Sequence, residues 1–145
     1  MQVSESRIYP AKLLLFGEYA ILSGNDALAI PYPEYYATWI KATPKNYKFI
    51  SLIEPFILYL HQRFPFDFDF NKLKADINEG FCLESSIPYG YGLGSSATCV
   101  AAIYDLYCTN KINDRNLAEL QEYLGKMENY FHSKSSGFDP LVVHL

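Results

Sequence analysis

Apolar residues change their spacing along the chain, and the change predicts where strands give way to helices. RIYPAKLLLF, from Arg7 to Phe16, ends in an apolar run too short for a helix and stopped by Gly17, which predicts a buried strand. Asp26 to Ile30, closed by Pro31, and Tyr35 to Lys41 are rich in β-formers, so this part predicts a meander, to which Lys45 to Ile50 adds a further strand. In SLIEPFILYLHQRF the period becomes helical. Leu52, Ile53, Phe56, Ile57 and Leu60 recur on one face, Ser51 is the candidate cap with Glu54 three residues on, and Pro55 falls in the tolerated first turn. FPFDFDFNKL predicts a loop or short strand, and Lys74 to Glu84 a strand broken near Gly80. Ala97 to Cys108 is apolar on all sides and predicts a buried helix. Asp114 is placed to cap an amphipathic helix from Arg115 to about Phe131, with Leu117, Leu120, Leu124 and Met127 inward. His132 to Asp139 reads as a polar turn, and Leu141 to Leu145 as the start of a strand. These elements give an α+β class and one domain over 1–145.

Composition narrows the function. The 145 residues are 50% hydrophobic, which argues for a packed core, and a net charge of −4 supplies no basic field for nucleic acid. The many Tyr and Phe have no interleaved basic residues, so they read as packing groups rather than a platform for bases. Cys82, Cys99 and Cys108 form an odd set without CxxC spacing, against a disulfide framework or a zinc site. MQVSESRIYPAK carries no apolar stretch before a cleavage site, so the expected location is cytoplasmic. His61 and His144 read as surface residues.

The densest candidate chemistry is Pro88-Tyr89-Gly90-Tyr91-Gly92-Leu93-Gly94-Ser95-Ser96, which opens onto the helix beginning near Ala97. A glycine-rich loop entering a helix N-terminus can bind an anion, because the first amides lack intrahelical partners and the helix dipole is positive there. Gly90, Gly92 and Gly94 let the backbone approach a phosphate closely, and Ser95 and Ser96 add hydroxyls. The loop is neither a Walker A motif nor a dinucleotide fingerprint. By itself it is equally consistent with a turn that only packs a helix.

Two further motifs accompany it. IPYGYGLGSSATCVAA closely resembles the second signature of the GHMP kinase superfamily, AKLLLFGEYAILSGNDALAIP resembles its first, and Glu128, His132, Ser136, Gly137 and Asp139 stand at the spacing of a mevalonate-kinase motif. The resemblance implies an ATP-dependent kinase acting on a small alcohol. Mevalonate is the first expectation, phosphomevalonate or another GHMP substrate the alternative, and a truncated binding or interaction module the rival from another class. Glu128 and His132 lean toward mevalonate kinase, whereas Gly17-Glu18-Tyr19 and Ser-Gly-Phe-Asp lean toward phosphomevalonate kinase. Ser135 stands where proline or glycine is frequent.

The resemblance also implies roles. The loop from Pro88 through Gly90, Gly92, Leu93, Gly94, Ser95, Ser96 and Ala97 wraps the phosphates of ATP, and Ser96 and Glu128 hold Mg²⁺. Asp139 orients or deprotonates the acceptor hydroxyl, Lys12 sits beside Asp139 and the substrate, and Glu18 helps shape the substrate end of the cleft. Taken singly, Lys12 reads as a solvated strand-edge lysine, Glu18 as a turn acid, Glu128 as an exposed helix charge and Asp139 as a turn residue before Pro140. His132 reads as a structural or supporting histidine. The implied fold is ribosomal protein S5 domain 2-like, a mixed sheet backed by helices with a left-handed crossover. A third signature, in a C-terminal domain of these kinases, has no counterpart in the 145 residues. The expectations are weak activity alone, and self-association through the surface that domain would cover.

Overall fold

The structure, a computed structural model, describes residues 7–16 and 27–145. Three strands, β1 (Ile8–Phe16), β2 (Leu28–Lys41) and β3 (Phe81–Ser85), form a sheet in that order. Five helices accompany them among the described residues: α1 (Tyr47–Arg63), α2 (Phe70–Asn78), α3 (Ser95–Tyr107), α4 (Leu117–Glu128) and α5 (Phe138–His144). The α+β class holds and the strands run as a meander. Both strand pairs are antiparallel, so the described strands do not form the expected mixed sheet and offer no parallel pair for a crossover.

The strand reading needs two corrections. Arg7 to Phe16 is only half buried: Tyr9, Ala11 and Lys12 face the interior, while Leu13, Leu15 and Phe16 are exposed. β2 continues through both of its prolines rather than stopping at Pro31. Its pairing with β1 jumps from Pro10↔Tyr36 to Ala11↔Tyr32, leaving Pro33 in the bulge. β3 pairs with β2 only from Ala37 onward, so Pro31 and Pro33 lie beyond that pairing and, among the described residues, their missing amides break none of the β2–β3 ladder.

Cap side chains explain the helix corrections. Lys45 to Ile50 is no strand, because the Asn46 side chain accepts from the Phe49 amide at 3.0 Å and starts α1 a turn before Ser51. Pro55 therefore lies inside the helix, on its solvent side, where water can satisfy the Ser51 carbonyl that lacks a donor. Ile53, Phe56, Ile57 and Leu60 are buried as the period predicts, whereas Leu52 is not. Asp69 caps α2 by accepting from the Lys72 amide at 3.0 Å, so residues 74–78 are helical, and Gly80 at φ 104° turns the chain into β3. Asn116, not Asp114, caps α4, and Leu117 stays exposed while Leu120, Leu124 and Met127 are buried.

Residues 141–145 form no strand either. Gly137, in the left-handed region, begins α5, and Pro140 falls in the first turn, where its missing amide costs nothing. The helix turns His144 inward, against the surface reading: it is buried, its Nε2 lies 3.1 Å from Asp114 Oδ1, and Tyr104 packs edge-on to its ring. His61 is exposed as expected and lies against the Phe70 ring.

Helix α3 is the axis of the core, with Val100, Ala101, Ala102 and Ile103 fully buried and Tyr104 and Tyr107 nearly so. Most of the aromatics pack as the composition suggests; Trp39 meets Phe49 and Tyr107 edge-on at 6.2 and 5.7 Å. Buried Asp76 accepts from the Tyr107 hydroxyl at 2.9 Å, and burial pushes that phenol's pKa upward. Arg7 pairs with Asp105 on α3 and donates to the His144 carbonyl, joining the start of β1 to the end of α5. This packing aligns β1 and the N-termini of α3 and α5 around one region.

Candidate functional site

The loop between β3 and α3 keeps its backbone open by glycine. Gly90, Gly92 and Gly94 have φ of 85, 69 and 88°, a region costly for other residues. A Cβ on Gly90 or Gly92 would meet nothing within 4 Å, so open space flanks the backbone there. Gly94 is the N-cap of α3 and supplies no side-chain cap to the first amides, at Ser95, Ser96 and Ala97. Such amides, beside an open loop, fit a phosphate.

Lys12 binds the loop to β1. Its amide donates to the Leu93 carbonyl at 2.9 Å, and its side chain packs so closely on Gly94 that a Cβ there would lie 2.9 Å from Cγ. Far from being a solvated edge lysine, Lys12 is 5% exposed, and its Nζ reaches Asp139 Oδ2 at 3.1 Å. Asp139 sits in the first turn of α5, more exposed than its partner. The acid favours that turn electrostatically.

Glu128 closes the other side. It ends α4, and the reading as an exposed helix charge fails, since it is 5% exposed. Ser96 Oγ donates to its Oε2 at 3.1 Å, and Ser135 Oγ to its Oε1 at 2.6 Å. His132 Nε2 lies 3.1 Å from Ser96 Oγ. Because the serine's single proton goes to Glu128, the imidazole must present Nε2–H to Ser96. This supporting contact agrees with the sequence reading of His132 as a structural or supporting histidine, although the contact itself was not predicted.

Burial pushes the Glu128 pKa up and the nearby Asp139 charge adds to this, while hydrogen bonds from Ser135 and Ser96 and the charge of His132 oppose it. Below the ordinary value of 4.5 the carboxyl is neutral in folded and unfolded chains; as pH rises toward the raised folded value, the unfolded chain ionises first and stability falls. Glu128→Gln is therefore expected to melt at a higher temperature than wild type in metal-free buffer at pH 7 to 8, with the gap closing near pH 4. Melting curves across that range check it, and a wild type as stable as the variant at pH 8 would contradict the sign.

The donor set suits a hard cation. Ser96 and Glu128 offer oxygens, with Asp139 close enough for its charge to be felt at Glu128. Among the described residues no three or more His, Cys, Asp or Glu converge into a full cage. Few protein carboxylates, with water and phosphate oxygens completing the shell, is the manner of Mg²⁺.

The structure thus gathers Lys12, Leu93, Gly94, Ser96, Glu128 and Asp139, with Gly90 and Gly92 in the same loop. Pro88 lies in the same loop, before its glycines, and Ser95 and Ala97 lie in the first turn of α3. Glu18 lies outside the described residues. Sequence reasoning missed Ser135 as a partner of Glu128; its only signal was a serine standing where proline or glycine is frequent. A cavity of about 510 Å³ between α1 and α2, lined by Tyr47, Ile50, Ile57, Leu58, His61 and Lys74 among others, involves none of these groups.

A family model described as the GHMP kinases N terminal domain matches residues 51–144. The chain belongs to the GHMP kinase family. This GHMP kinase domain is also 26% identical over 137 residues to the mevalonate kinase of Archaeoglobus fulgidus, a match covering 92% of this chain and 48% of that protein. It therefore spans about half the length of the curated relative it matches. Among the described residues no helix of the GHMP domain is long and apolar enough to cross a membrane.

Proposed function

We propose that this chain is the N-terminal, ATP-binding unit of an ATP-dependent kinase that phosphorylates a small alcohol, mevalonate first, and that a C-terminal portion completes the cleft. The observation that carries the reading is one continuous set of contacts. The glycine loop is bonded through Lys12 to Asp139 on one side, and through Ser96 to Glu128 on the other.

In this reading the amides at the start of α3 and the loop from Pro88 to Ala97 receive the phosphates. Ser96 and Glu128 would hold Mg²⁺, which would supply positive charge to offset that of the phosphates. Asp139 accepts the proton of the acceptor hydroxyl as its oxygen bonds to the γ-phosphorus and the bond to ADP breaks. Lys12, beside that carboxylate, stabilises the charge developing on the oxygen. The role proposed for Glu18 is to help shape the acceptor end of the cleft. Exposed Leu13, Leu15 and Ile30 on the β1–β2 ribbon form the surface through which we expect the isolated chain to self-associate. A cytoplasmic location is part of this proposal.

Isothermal titration with MgATP and a coupled ADP-release assay test the reading on this chain and on the complete protein, across mevalonate, phosphomevalonate, homoserine and sugars. Weak binding with negligible turnover is expected of the chain alone, and turnover with one acceptor of the complete protein. Failure of the complete protein to bind MgATP would sink the reading and favour a non-catalytic interaction module. Brisk turnover by this chain alone would show that no second portion is needed.

A further inference from the structure

Ser135 makes more directed contacts to the site than its place in a polar turn suggests. Its amide donates to Asn129 Oδ1 at 2.8 Å, its hydroxyl donates to Glu128 Oε1 at 2.6 Å, and the same oxygen accepts from the Gly137 amide at 3.0 Å. The hydroxyl is thereby oriented: with the Gly137 N–H occupying a lone pair, its proton is left for the carboxylate. Glu128 is gripped at both oxygens, by Ser96 from α3 and by Ser135 from the turn.

A terminal carboxylate torsion is broad and roughly two-fold, so a glutamate held at one oxygen can still swing the other. Two hydroxyls from separate segments remove that freedom. The second hydroxyl also touches the amide that begins α5, two residues before Asp139. One side chain therefore ties the carboxylate proposed for the metal to the helix proposed to carry the proton acceptor.

We infer that Ser135 is a positioning residue for the Mg²⁺ site, holding Glu128 Oε1 so that Oε2 and the Ser96 oxygen face the cation, and coupling that carboxylate to the start of α5. The inference rests on the reading of Glu128 as a metal ligand. Partners that orient a metal ligand without touching the ion commonly set its affinity tenfold or more.

The test compares wild type with Ser135→Ala, Ser135→Thr and Ser135→Val, titrating ATP by calorimetry at a series of Mg²⁺ concentrations and in EDTA. Ser135→Ala is expected to raise the Mg²⁺ concentration for half-maximal binding roughly tenfold, while leaving metal-free ATP affinity unchanged. Ser135→Thr should return to the wild-type value, and Ser135→Val, which has threonine's shape without its hydroxyl, should not. If the alanine variant fails to fold, the threonine and valine pair decides. Unaltered Mg²⁺ dependence in alanine and valine, equal loss in EDTA, or threonine behaving like valine would overturn the inference and leave a structural serine. A wild type whose ATP binding ignores Mg²⁺ would instead remove the metal reading itself, and this inference with it.

Discussion

Asp139→Asn is expected to lower turnover of the complete protein by about 10²–10⁴-fold, the range of a lost general base, while MgATP binding persists. The reason is chemical: the amide can hold a hydrogen bond but cannot take up a proton at neutral pH. The variant also leaves Lys12 Nζ, whose side chain is 7% exposed, facing an uncharged partner. A buried charge stripped of its counterion is costly, but Asp139 is 36% exposed and water offsets part of the loss, so about 1–2 kcal/mol of destabilisation is expected. Adding Lys12→Met separates the two effects. The double variant should recover stability in urea melts yet regain no turnover, because removing the unpaired ammonium repairs the fold while both groups proposed for the chemistry are then missing. An Asp139→Asn enzyme with wild-type kcat would take Asp139 out of the reaction, whatever its stability.

That Lys12 and Asp139 meet was legible only through the resemblance, since nothing in the local pattern of KLLLF or SGFDP points one toward the other. The strand and the helix that carry them are brought together by α3 and by Arg7, which reaches both Asp105 and the His144 carbonyl. Local reading did best where one period ran long, in the faces of α1 and α4 and the all-apolar α3. It did worst in short segments. Lys74 to Asn78 and Leu141 to Leu145 hold apolar residues that fit either period over so few positions. What decides them is a cap or a glycine lying outside the run: Asp69 for α2 and Gly137 for α5. Asn46 did the same for α1, and Ser51 drew attention because it stood beside the clearer apolar period.

The site shows the same division. Gly90, Gly92 and Gly94 were readable because only a special backbone needs glycine at such density. Ser135 was not, because a serine in a polar turn is ordinary until the fold sets Glu128 beneath it. Burial was the other hidden variable. Lys12, Glu128 and His144 all carry polar groups that composition assigns to solvent, and each is instead covered by packing around α3, α4 and α5.

Gly137→Ala is expected to be the most damaging single substitution to the fold. An added Cβ would lie 1.8 Å from the Gln121 carbonyl oxygen and 2.9 Å from the Gly125 nitrogen, and those are backbone atoms of α4, which no side-chain rotation can move aside. Gly125 repeats the arrangement from the other side, since its own Cβ would come 3.0 Å from the Gly137 nitrogen. Helix α4 and the turn into α5 thus meet backbone to backbone, and the contact tolerates a glycine inside α4 despite its poor helix propensity. Gly137 also has φ of 75°, which alone costs alanine about 1–2 kcal/mol. With the overlap, at least about 4 kcal/mol should be lost, in the range reserved for broken backbone packing, seen as a melting temperature lower by about 10 °C or more. Gly92→Ala separates the causes, because Gly92 has φ of 69° and open space around it. It carries the conformational cost without the collision, so its loss should stay near about 1–2 kcal/mol. Equal losses at the two positions would mean that the left-handed backbone, and not the close approach of α4, sets the cost at Gly137. A much larger loss at Gly137 would instead identify the close backbone approach of α4 to the turn into α5 as the greater part of the cost.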